Sequence, residues 1–162
     1  MIQNYLIVAG RIRQEVSNLE TTVNRAERAI AAARREVSEN RDLFVDAAAL
    51  SLHDFYTGLE RILSLVATNV DKSMPSTQNW HRDLLSQMGI TVSGLRPPVL
   101  SMETINLLDE YRRFRHVVRN IYAFDLDPEK LMPLMDRLEE CFRRSQTELL
   151  AFADRLEQLG SD

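Results

Sequence analysis

The chain is poor in cysteine, glycine, proline and lysine, and each shortage excludes something. One cysteine, Cys141, in 162 residues cannot staple a fold or build a zinc or dithiol site. Five glycines and five prolines are too few for a turn-rich all-β architecture, and they leave room for long uninterrupted helices. The three histidines, His53, His81 and His116, fall in no metal-ligand spacing, so neither a metal nor another cofactor is expected. The glycine-rich phosphate loop, the dinucleotide fingerprint and the G-x-S-x-G nucleophile turn are missing too. No stretch approaches the ~20 apolar residues of a membrane span. The N-terminus has no basic region before an apolar leader, so a cytoplasmic protein without membrane contact is expected.

Charge is scarce in one form and concentrated in another. The net charge is −4 with a pI near 5.5, which argues against a protein that coats nucleic acid non-specifically. Of the 20 basic residues only Lys72 and Lys130 are lysine; the other 18 are arginine, the better residue for gripping carboxylates and phosphates with a planar fork. Where those arginines sit is therefore informative.

Helical periodicity fills the chain. Tyr5, Ala9, Ile12, Val16, Leu19, Val23, Ala26, Ile30, Ala33 and Val37 step by four and three, a narrow coiled-coil-like seam that predicts one long helix over residues 1–40. A second helix is expected from about Arg41 to Val70, with Phe44, Ala48, Phe55, Leu59, Ile62 and Val66 as its stripe. Leu43, Ala47, Leu50 and Leu63 widen that stripe, which predicts a central position. Thr77 is a plausible cap for a short third helix that turns Trp80, Leu84, Leu85 and Met88 inward. After a Gly94- and Pro97-Pro98-containing connector, Ser101 should cap a fourth helix over 101–126, with Leu107, Tyr111, Phe114, Val118 and Ile121 facing the core. Asp127-Pro128-Glu129 starts a fifth helix, which Pro133 should kink or restart and in which Ser145 is a polar gap. The expectation is a single all-α domain over 1–162, an up-and-down bundle of about five helices.

One segment concentrates the arginines: Arg112, Arg113, Arg115 and Arg119 fall within eight residues of the fourth helix. At about 100° per residue, Arg112, Arg115, Arg119 and Tyr122 share one stripe. Neighbouring guanidinium groups repel, so the stripe needs anions opposite it: acids of another helix, a partner, or phosphates. His53 beside Asp54 is expected to be a satisfied structural histidine. His81, next to Trp80, is expected to cap or pack the third helix.

At this segment the chain resembles the HEPN-domain ribonuclease toxins of the HepT type, whose signature is Arg, four residues, His, one residue, Tyr. Arg115 and Tyr122 match it, and Asn120 stands at the histidine position. The resemblance continues through Leu52-His53-Asp54-Phe55-Tyr56-Thr57-Gly58-Leu59-Glu60 and Asn79-Trp80-His81-Arg82-Asp83-Leu84-Leu85. It extends to Ala123-Phe124-Asp125-Leu126-Asp127 and Leu131-x-Pro133-Leu134, so that it covers about Phe44 to Leu138. It implies a HEPN-like homodimer with both motif helices lining a shared cleft, where RNA is cleaved without a metal. Arg115 would hold the scissile phosphate, position 120 would serve acid–base chemistry, and Arg112 and Arg119 would extend the cationic cleft. The implied partner is a nucleotidyltransferase antitoxin that neutralises the toxin, in some pairs by transferring AMP to the motif tyrosine, here Tyr122.

Asn120 departs from that pattern, because an amide can position a phosphate but cannot exchange a proton near neutral pH. Two origins fit it: a natural member that does not cleave, or a substitution that removes an activity harmful to the host. His116 lies one turn earlier, but Tyr111, not arginine, stands five residues before it. On a straight helix Arg115 and position 120 also point about 140° apart. The expected function is thus a HepT-like toxin whose ribonuclease activity is lost or weakened at Asn120. The alternatives are a non-catalytic helical partner of a nucleotidyltransferase and a structural coiled-coil assembly protein.

Overall fold

The computed structural model describes residues 2–36, 39–119 and 126–161, the side chains of Ile2 and Arg119 apart. Five helices follow one another: α1 (Ile2–Arg35), α2 (Arg41–Asn69), α3 (Trp80–Gln87), α4 (Met102–Arg119) and α5 (Pro128–Ser161). No strand is present among the described residues; the only extended pairing is a single antiparallel bridge between Val92 and Arg96. Fold class is therefore all-α, as the periodicity requires. Among the described residues no helix is long and apolar enough to cross a membrane.

The α1 seam is closed within the chain. Ala9, Ile12, Val16, Leu19, Val23, Ala26, Ile30 and Ala33 are all buried, and α1 packs along both α2 and α5. A narrow seam suits this arrangement, with two antiparallel neighbours sharing one stripe. Gly58 of α2 permits a close approach, since a Cβ there would stand 2.8 Å from Leu19 Cδ2. Val37, the last expected member of the seam, lies outside the described residues, and α1 ends at Arg35 instead of reaching residue 40.

α2 is central, touching α1, α3 and α4. The expected stripe of Ala48, Phe55, Leu59, Ile62 and Val66, widened by Leu63, is buried, with Phe44 half-buried, but one expected flank is not part of the core. Leu43 and Leu50 are exposed, at 61% and 60%, and Ala47 is exposed, while Val45, Ala49, Leu52 and Tyr56 are buried. Periodicity finds a stripe but cannot choose between its two flanks when both are apolar.

Local capping chemistry sets the other boundaries. The Ser101 hydroxyl accepts the Thr104 N–H at 3.3 Å, and Asp127 Oδ1 accepts the Glu129 N–H at 3.0 Å. α3 begins at Trp80, later than a Thr77 cap implies. The Thr77 hydroxyl instead accepts the Asn79 N–H at 3.2 Å and donates to Asp83 at 2.7 Å, tying down the approach to α3. Pro133 does not restart α5, which runs through it from Pro128. Ser145 is buried in the core, where its hydroxyl donates to the Cys141 carbonyl at 2.8 Å and leaves no donor unmet.

The connector after α3 is anchored by a buried ion pair with no counterpart in the sequence reading. Arg96 Nε and Nη2 meet the two Asp71 oxygens at 2.5 and 2.6 Å. The same guanidinium donates to the carbonyls of Gln87, Ile90 and Pro97. This clasp joins the segments following α2 and α3.

Candidate functional site

The arginine-rich helix does not simply turn its cations outward. On α4 the buried positions are Thr104, Ile105, Leu108, Tyr111, Phe114 and Arg115, so the core stripe runs along Leu108 in preference to the half-buried Leu107. Arg115 is only 6% exposed. Its Nη1 and Nη2 donate to Glu60 Oε1 and Oε2 at 3.0 and 3.2 Å, a two-pronged pairing with α2. Its guanidinium also lies over the Tyr56 ring, 5.1 Å from the centroid. Of the possible anions, an acid of another helix is thus what faces Arg115.

α3 adds a third member. His81 Nδ1 is 2.7 Å from Glu60 Oε2 and 2.8 Å from Arg115 Nη2. The ring stacks on Trp80, with centroids 3.6 Å apart and planes 28° from parallel. One nitrogen cannot donate to Glu60 and accept from Arg115 at once. With its proton on Nδ1 the ring donates to Glu60; with its proton on Nε2 it accepts from Arg115. Either neutral tautomer has a partner. His81 is therefore more than a cap or packing residue.

Burying Glu60 and Arg115 costs several kcal/mol per ion in lost hydration, roughly offset only by good geometry and further hydrogen bonds. The pair satisfies the carboxylate fully, but Arg115 Nε and Tyr56 Oη are buried and make no hydrogen bond among the described residues. Burial, reinforced by the Glu60 charge, pushes the Tyr56 hydroxyl far above the ordinary tyrosine range.

The rim of this cluster opens into a cleft of about 520 Å3 between the start of α3 and α4. Asn79, Trp80, His81, Arg82, Arg112 and His116 line it. Arg112 Nε is held by Asp109 at 2.7 Å, one turn back on α4, which aims the side chain without burying it. A second cleft, of about 590 Å3, lies beyond Trp80 and is bordered by Glu60, Arg61 and Arg11. Two cationic forks and two imidazoles around one polar hollow suit an anionic ligand with exchangeable protons.

Of the expected site residues, the structure brings Arg112 to this cleft and Arg115 to its buried wall. Asn120 and Tyr122 lie outside the described residues, as does the side chain of Arg119. Glu60 was not singled out by the sequence, and His81 was expected only to cap or pack the third helix. The signal for them was the adjacency of Trp80 and His81 and a glutamate one turn after Tyr56, neither of which means anything until α2 and α3 meet. His53 is less satisfied than expected: its buried Nδ1 makes no hydrogen bond among the described residues, with Asp54 standing 3.5 Å away. No group of three or more His, Cys, Asp or Glu that could hold a metal ion occurs among the described residues.

Comparison with known proteins bears on the same region. The family described as HepT-like protein matches the chain over residues 47–156, which includes α3, α4, most of α2 and most of α5. No curated protein and no solved structure matches. The match takes in well over half of the chain and every residue of the Glu60–His81–Arg115 cluster: the protein belongs to the HepT-like family.

Proposed function

We propose that this HepT-like protein is the toxin of a toxin–antitoxin pair and that it binds and cleaves RNA without a metal, slowed by Asn120. The observation that carries this reading is the cleft between α3 and α4, where Arg82 and Arg112 stand beside His81 and His116. RNA offers such a cleft both phosphates and a 2′-hydroxyl, whereas a purely structural protein has no use for them. Arg112 and Arg119 hold backbone phosphates. Arg115 stabilises the cleft wall through its pairing with Glu60. Asn120 positions the substrate but exchanges no proton. Two copies pair through their motif helices, so that each cleft is completed at the two-fold axis.

The antitoxin in this reading is a nucleotidyltransferase that transfers AMP to Tyr122. An adenylate at the end of the arginine stripe would occupy the cations that RNA needs. A strictly non-catalytic partner of such a transferase is the competing reading, and the experiment separates the two. Induced expression of the chain should arrest bacterial growth and shorten cellular RNA. Co-expression of its nucleotidyltransferase should relieve the arrest and add the mass of AMP, an adduct absent from Tyr122→Phe. Unshortened RNA with normal growth favours the non-catalytic partner, and an adduct on Tyr122→Phe removes that residue from its role.

A further inference from the structure

We infer that His81, on α3 and outside the arginine-rich motif helix, is the catalytic acid–base residue of the cleft, with Glu60 and Arg115 as its positioning residues. The inference rests on the RNA-cleavage reading above and names the group that replaces the missing imidazole at position 120.

Four observations converge on the ring. Its Nδ1 is held between a carboxylate oxygen at 2.7 Å and a guanidinium nitrogen at 2.8 Å, so proton exchange with a ligand falls to Nε2. Its plane is set by the Trp80 stack, which prevents the ring from rotating away. Its side chain remains 28% exposed, unlike those of Glu60 and Arg115, at 9% and 7%, so a ligand can reach the ring but not its supports. It lines the cleft that also holds Arg82, Arg112 and His116.

The pairing at Nδ1 does more than orient. Glu60 accepts Nδ1–H and leaves Nε2 with a lone pair, the form of a base. Arg115 donates to Nδ1 in the other neutral tautomer, with the proton on Nε2; the acid is the imidazolium that forms once Nε2 has taken a proton. Both neutral tautomers are therefore supported by residues already in place, and the imidazolium between them is balanced by Glu60. Facing the ring are Glu60 from α2, Arg112, Arg115 and His116 from α4, and Arg82 from α3 itself.

For RNA the step balances without a co-reactant. Nε2 takes the proton of a ribose 2′-hydroxyl as that oxygen forms a bond to the adjacent phosphorus. The bond from phosphorus to the 5′-oxygen breaks, and its electron pair stays with the leaving oxygen, which receives the proton back from Nε2. The products are a 2′,3′-cyclic phosphate and a 5′-hydroxyl, and His81 ends as it began. Arg82 and Arg112 meet the charge on the non-bridging phosphate oxygens.

The test uses the full chain and a labelled single-stranded RNA, with cleavage, RNA affinity and thermal unfolding measured for each variant. His81→Asn retains a donor for Glu60 but cannot exchange a proton; His81→Gln replaces it if the Asn variant does not fold. Cleavage should fall by about a hundredfold or more while RNA affinity holds, and added imidazole should restore cleavage to His81→Ala. Wild-type cleavage by the folded His81 variant overturns the inference and leaves the RNA-cleavage reading standing. So does a silent parent chain beside an active Asn120→His. If the parent chain and Asn120→His are both folded and both leave RNA intact, the RNA-cleavage reading falls, and the role of His81 falls with it.

Discussion

Arg115 and Glu60 lie 55 residues apart in the chain and meet in its interior through two parallel hydrogen bonds of 3.0 and 3.2 Å. The arginine that the motif marks as a phosphate ligand is therefore also the counter-ion of a buried carboxylate. Removing either partner leaves the other charge buried and unmet. Arg115→Met should lower folding stability by about 3–5 kcal/mol, and Glu60→Leu combined with it should recover most of that loss. Chemical denaturation of the two single variants and the double variant measures the coupling. Additive losses would show that the pair does not act as a unit.

Arg112 differs from Arg115 in being partly open and in lining the cleft. Arg112→Ala should leave the unfolding midpoint nearly unchanged while weakening RNA binding. The slope of log affinity against log salt should shrink by about 0.7, as for the loss of one contact to a single strand. Affinities measured across a salt series check this, and an unchanged slope would remove Arg112 from the RNA path.

The Asp71–Arg96 clasp is a second buried ion pair, with side chains 4% and 2% exposed. Arg96→Ala leaves the Asp71 charge buried without its counter-ion and takes the guanidinium donor from the Ile90 and Pro97 carbonyls, a loss of about 3–5 kcal/mol. Hydrogen exchange should then rise first in the connector and in α3. Uniform exchange across all five helices would instead mean that the clasp stabilises the whole bundle.

Alkaline pH should destabilise the fold in a defined order. Burial pushes the Cys141 thiol up to about 12 from its ordinary value of 9.0, with hydrogen bonding to the Ser145 side chain acting in the opposite direction. Burial likewise pushes the Tyr56 and Tyr111 hydroxyls far up from 10.0. In the unfolded chain these groups ionise near their ordinary values while the folded chain keeps them protonated. The unfolded state then holds fewer protons, so stability falls as pH rises above 9, by up to about tenfold in the folding equilibrium per pH unit and group. Denaturation midpoints measured across this range check the fall, and Cys141→Ala should remove its earliest part. A flat profile would mean that the three groups open to solvent in the native state.

How much of this was legible beforehand follows from how local each signal is. The starts of α4 and α5 depend on Ser101 and Asp127 bonding to backbone two or three residues away, and those are visible in the sequence. The seam of α1 is legible because a single apolar stripe with polar flanks has only one inward direction. α2 has apolar residues on both flanks of its stripe, and the side occupied by Leu43 and Leu50 proved to be the exposed one. The cluster itself is non-local: Arg115 reads as one of a cationic series whose counter-anion could be an acid of another helix, a partner or a phosphate, until Glu60 arrives from α2. His81 reads as a capping residue until both of them surround its Nδ1. Arg96 and Asp71 carry no pattern at all, since each lies in a loop with no periodicity to mark it.

Incubating RNA with the purified full chain and a chelator, beside Asn120→His, asks whether this cleft cuts RNA. Both proteins should shorten the RNA and leave 2′,3′-cyclic phosphate ends, with Asn120→His faster by about a hundredfold as a second imidazole joins His81. Intact RNA with both proteins, each folded, would contradict it.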